Sequence, residues 1–179
     1  MDARWSWLGT GLLIASTLAA GCDDDGSGAR DGGEPPGDAR QDTGDPDGPA
    51  LEVGTGGTVY ERVEDGGAVE LVHGPQGGWH ILLAARFRGM DPEGVLLSYQ
   101  VLRADGTTPL NERFSVRLRR STVSPSGAWW NRTGDLGVLA VMGAEEAADM
   151  DAEVHAEVVA SDGTTVSDVL RVHIVDEIR

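Results

Sequence analysis

From Leu51 onward, apolar and polar residues alternate with a period of two, in short runs separated by Gly, Pro and Asp. "WHILLAARFRG" sets Trp79, Ile81, Leu83, Ala85 and Phe87 on one face and His80, Arg86 and Arg88 on the other. "VLLSYQVLRADG" repeats the pattern with Val95, Leu97, Tyr99 and Val101, then turns at Asp105-Gly106. "ERFSVRLRR" alternates Phe114, Val116 and Leu118 against Ser115, Arg117 and Arg119, and "DLGVLAVM", "AEVHAEVVA" and "TTVSDVLRVHIV" follow. A period of two belongs to an extended chain with one buried face. Such runs at spacings near ten residues predict an all-β fold, an antiparallel sandwich of about seven or eight strands over residues 51–179.

The last two runs fix a register. Val154, Ala156, Val158 and Ala160 point one way, as do Val166, Leu170, Val172 and Ile174. Ser161-Asp162-Gly163 between them suits a three-residue hairpin loop with Gly163 in the left-handed region. Such a loop sets Glu153 opposite Arg171 and His155 opposite Val169, which brings unlike charges together on the wet face. Asp168 then falls on the inward face, where the pattern predicts a strand end or a bulge.

This closing hairpin resembles the final strand pair of immunoglobulin-like domains of the PKD and cadherin type, which are sandwiches without an intersheet disulfide. "GAEEAADMD" resembles the short helical turn that often precedes their penultimate strand. The resemblance implies an Ig-like sandwich. The paired Asp motifs with which cadherins bind calcium are missing, so it implies no metal site.

The start of the chain reads differently. Leu8 to Ala20 is an apolar run of thirteen residues behind one cation, Arg4. As a helix it rises about 20 Å, short of a hydrocarbon core of about 30 Å. Its length and small-residue ending predict a secretory signal over residues 1–21. Leu18-Ala19-Ala20-Gly21-Cys22 resembles the lipobox of bacterial lipoproteins, and Cys22 is the chain's one cysteine. The resemblance implies a diacylglycerol on the Cys22 thiol and acylation of its amine, and so a partner in the membrane and a place in the bacterial cell envelope. One acyl chain holds a protein marginally, whereas two or three anchor it stably. Asp23 resembles the inner-membrane retention signal of enterobacterial lipoproteins, while acidic runs after the cysteine resemble surface-export signals elsewhere, so the membrane stays open.

Residues 23–50 hold nine acids, two arginines, seven glycines and four prolines, with no aromatic or branched aliphatic side chain. Too little apolar surface is available there to offset chain entropy, which predicts a disordered acidic linker over residues 22–50. A coil of that length reaches about 30 Å. Residues 51–179 carry twenty acids against eleven arginines, a net of −9. An acidic body has no face for phosphate neutralisation, which argues against a nucleic-acid partner.

Little in the sandwich region points to catalysis. It has no cysteine and no serine in a G-x-S-x-G context, so a hydrolytic triad lacks its nucleophile, and neither enzyme activity nor a cofactor is expected. His73, His80, His155 and His173 form no H-x-H or H-x₃-H pair, and no metal site is assigned. Trp129 and Trp130 are adjacent, so on an extended backbone one points inward and the other outward, and an exposed Trp offers a platform for a sugar ring or a protein. Arg117 and Arg119, with Arg86, Arg88, Arg113 and Arg120, make a basic zone suited to anionic envelope components or to pairing with local acids. The residues therefore support three roles: a non-catalytic adhesion or assembly module with an envelope protein partner, a carbohydrate-binding module using Trp129 or Trp130, and a metal-binding periplasmic accessory.

Overall fold

The computed structural model describes residues 48–176. The expected signal segment, Cys22 and all but the end of the acidic linker lie outside the described residues.

Nine strands follow in order: β1 (Ala50–Gly54), β2 (Gly67–His73), β3 (Trp79–Arg88), β4 (Leu96–Arg103), β5 (Phe114–Arg117), β6 (Ser124–Ser126), β7 (Trp129–Leu139), β8 (Met150–Val159) and β9 (Thr165–Val175). Single 3₁₀ turns at Arg120–Thr122 and Ala144–Glu146 interrupt them, the second where "GAEEAADMD" predicts a helical turn. Two layers face each other. In one, β1 and then β2 run along the same edge of β3, and β7 and β6 follow on the other side. In the other, β9, β8, β4 and β5 are neighbours in that order.

β2 joins the layers into one curled sheet. Leu71–His73 pair antiparallel with β3, while Gly67–Glu70 run parallel to Val172–Val175 of β9. The orders β1-β3-β7-β6 and β9-β8-β4-β5 match the two sheets of an immunoglobulin sandwich extended by one edge strand. The core lies between them. Ile81, Leu83 and Phe87 from β3 meet Leu97, Tyr99 and Val101 from β4 and Val154, Leu170 and Ile174 from the closing hairpin, all at most 2% exposed. Tyr99 fills its middle against Phe114, with ring centroids 5.4 Å apart. Burial, and then the nearby charge of Asp135, pushes the Tyr99 phenol well above its ordinary pKa, so it stays neutral.

The hairpin register follows the expectation residue by residue: Glu153 faces Arg171, His155 faces Val169, and Gly163 has φ 89° at the tip. Asp168 requires a correction. It is neither at a strand end nor at a bulge, since it faces Ala156 within an unbroken β8–β9 ladder. Its carboxylate accepts a hydrogen bond of 2.7 Å from the backbone N–H of Val53. An inward acid is tolerated there because β1 presents a main-chain donor to it across the layers.

Candidate functional site: the outer face of the β3–β7 sheet

β7 opens with the two tryptophans, and the strand separates them. Trp130 stands opposite Phe87 of β3 and Pro125 of β6, which turns it inward against the core. The Arg120 guanidinium lies 5.6 Å from its ring centroid and is itself held by both carboxylate oxygens of Asp91, at 2.9 and 2.8 Å. Trp129 faces outward. The guanidinium carbons of Arg86 and Arg88 stand 4.6 and 4.8 Å from its centroid. Arg86 also lies 5.0 Å from the Tyr60 ring and donates to Glu52 Oε2 at 2.7 Å. Each cation over an aromatic face contributes roughly 0.5–1 kcal/mol at an exposed site. Asn131 and Ser124 continue the row of Arg86, and Ser126 that of Trp129.

The loop after β1 divides this face in two. Thr55 Oγ1 donates to the Leu82 carbonyl at 2.9 Å, and the Gly134 N–H donates to the Gly56 carbonyl at 3.0 Å. The loop thus crosses β3 and leaves Ala84 at 0% exposure. At Gly134, with φ 75°, the β3–β7 register slips by one residue. A bulge of this kind re-aims every side chain beyond it. Asp135, Gly137 and Leu139 consequently point inward, and Asp135 is satisfied there by a bidentate pair with Arg132. That hydrogen bond raises the Arg132 pKa above its already high ordinary value.

Leu136 and Val138 point outward, 47% and 55% exposed, paired with Leu82 and His80 of β3. β6 covers only Trp129–Asn131 of β7. Among the described residues, no strand pairs with the second edge of Asp135–Leu139. The second half of the face is therefore an apolar strip beside a strand edge that is open at Leu136–Val138 and closes at Ala140, whose N–H donates to the Leu110 carbonyl at 2.7 Å.

The other candidates are scattered. Arg117 donates to the Gly94 carbonyl at 3.0 Å, and exposed Arg119 engages Thr122 through its backbone, its amide donating to Thr122 Oγ1 and its carbonyl accepting from the Thr122 N–H. Arg113 pairs with Glu157 at 2.7 Å. The expected basic zone is divided, because Arg86 and Arg88 lie on β3 whereas Arg113 and Arg117 flank β5 in the other layer. His73 stacks at 4.7 Å on Trp79, on the opposite face of the sheet from His80. His155 shares a hydrogen bond with Glu153 at 2.9 Å, and His173 lies between Asp151 (2.8 Å) and Asp149 (3.1 Å). No group of three or more His, Cys, Asp or Glu side chains among the described residues is placed to hold a metal ion. Sequence reasoning missed the apolar strip. Its signal, two branched aliphatics flanking Gly137, was present, but the bulge that assigns their face depends on the loop contact to Gly56.

No family model matches the sequence, and no curated protein matches it. Among solved structures, the chain is similar to a bacterial adhesin from Mobiluncus mulieris containing intramolecular disulfide, isopeptide and ester bond cross-links, at 13% identity and a TM-score of 0.41. That likeness covers 70% of this chain and 49% of the adhesin, so the chain spans about half the adhesin's length. It is also similar to the CooA pilin subunit from enterotoxigenic Escherichia coli, at 12% identity and a TM-score of 0.35 over 70% of this chain and 99% of the pilin.

Proposed function

We propose that this chain is a lipid-anchored protein of the bacterial cell envelope whose sandwich is a non-catalytic binding or assembly module, working through the outer face of the β3–β7 sheet. The observation that carries the reading is Leu136 and Val138, exposed side by side against an unpaired edge of β7. Scattered exposed apolar residues are ordinary on a protein surface. Neighbouring ones beside free backbone donors and acceptors form a docking template, which solitary sandwiches blunt with Lys, Pro or inward charges. This edge carries neither Lys nor Pro, and its one inward charge, Asp135, is neutralised by Arg132. The membrane part of the reading is supported by the lipobox-like segment ending at Cys22.

Two measurements test it. Mass spectrometry of the mature chain is expected to find an acylated Cys22 at the N-terminus, and an unmodified soluble chain contradicts the anchor. A photo-crosslinking residue in place of Val138, introduced in living cells, is expected to give discrete adducts that the same residue at Ser167, on the other layer, does not give. Equal smears from both positions contradict the docking face.

A carbohydrate-binding role is the second reading, favoured by Trp129 lying outward in a row with Ser126 and beside Asn131. Trp130 takes no part in it, because its ring is packed inward. A glycan array with the parent chain and Trp129→Ala tests this reading, and absence of binding by the parent removes it.

A further inference from the structure

We infer that the partner at the β7 edge is a second copy of this chain, paired antiparallel through Asp135–Leu139 and centred on Gly137. The inference rests on the docking-face reading above and names its occupant.

One register sets both outward aliphatics of each copy against the aliphatics of the other. A two-fold axis at Gly137 sets Leu136 against Val138 of the second copy and Val138 against its Leu136. Shifting the axis to Leu136 leaves Val138 opposite Gly134, and shifting it to Val138 leaves Leu136 opposite Ala140. The pairings already present extend the match, because His80 is beside Val138 and Leu82 beside Leu136 on β3. The two copies then form two unbroken rows, each running His80, Val138, then Leu136 and Leu82 of the second copy. Directly opposed apolar side chains in neighbouring strands are the unit that stabilises a sheet. Symmetric closure also removes both open edges at once, so the assembly stops at two copies.

Charge favours the same patch. Two bodies that each carry a net of −9 over residues 51–179 repel one another at close approach. The rows named above contain no Asp, Glu or Arg, so here the copies meet without opposing like charges. The Trp129 half of the face, with its arginines and Glu52, offers no such neutral match to itself. β6, beside Trp129–Asn131, ends short of the paired segment, and the Leu110 carbonyl meets the edge only at Ala140, which leaves Leu136–Val138 between them accessible. Tethering both copies to one membrane raises their effective concentration and makes a short contact sufficient.

Oxidative crosslinking in membranes tests the inference. Full chains carrying Leu136→Cys and Val138→Cys, with different tags, are co-expressed, and the parent chain, whose one cysteine is Cys22, sets the background. The expected result is a Leu136→Cys to Val138→Cys disulfide several-fold more abundant than either like-with-like product and than a Ser167→Cys control. Adding Val138→Asp to the Leu136→Cys chain, with the fold checked by circular dichroism, is expected to abolish it. Adducts from either position only to a different envelope protein overturn the second copy while leaving the docking face standing. No adduct from either position overturns both.

Discussion

Trp129 and Trp130 differ in role because each step along a strand reverses the side chain's direction. Trp130 rests on the core beside Phe87, so Trp130→Ala opens space there and is expected to cost roughly 2–3 kcal/mol in denaturant unfolding, somewhat under the range for fully buried aromatics. Trp129→Ala removes only contacts with arginines on the surface and is expected to cost under about 1 kcal/mol. A larger loss for Trp129 contradicts the assigned directions. His173 supplies the pH dependence. Its hydrogen bond to Asp151 raises its pKa above the ordinary value; desolvation opposes this, and the hydrogen bond to Asp149 adds to the rise. The protonated ring is thus favoured in the fold. Its contribution is whole below the ordinary histidine value, near pH 6.5, and is lost as pH rises through the raised one. Unfolding midpoints measured from pH 5.5 to 8.5 are expected to show this fall in the parent and not in His173→Ala. Asp149, outside any strand, reaches back to the imidazole, a contact that the sequence pattern did not show.

At the scale of elements, legibility followed locality. The β8–β9 register was readable because a three-residue loop and two apolar rows leave one alignment. The inward rows of β3, β4 and β5 were readable for the same reason. The parallel pairing of β2 with β9 and the three-residue β6 were not, since one joins segments about a hundred residues apart and the other has no alternation. β7 lies between these cases. Its alternation was visible, but Leu136, Gly137, Val138 and Leu139 are apolar on both faces, and only the Gly134 bulge decides which are buried. Gly134 and Gly163 both have positive φ, yet they differ in surroundings. A Cβ at Gly163 meets nothing within 4 Å, whereas one at Gly134 would lie 2.7 Å from the Gly57 carbonyl oxygen. Gly163→Ala is expected to cost about 1–2 kcal/mol from the left-handed backbone alone. Gly134→Ala is expected to cost more and to alter protease sensitivity in the 55–60 loop. Equal costs contradict the contact between that loop and the bulge.

For the whole molecule, the fold class was legible and the working surface was not. Alternation reports which residues are buried, and a sandwich of this kind follows from it. A docking face arises from an edge left uncovered, a property of how β6 and β7 differ in length. The tryptophan and arginine candidates drew attention by residue type, and the structure engages most of them internally: Trp130 with the core, Arg86 with Glu52, Arg120 with Asp91. The plain aliphatics of β7 are what remain available. The most direct measurement of that claim is hydrogen exchange of the Leu136 and Val138 amides in the membrane-bound full chain, compared with Val138→Asp. Slower exchange in the parent, with the Ser161–Gly163 tip unchanged between the two, is the expected result. Identical exchange at these two amides contradicts the account.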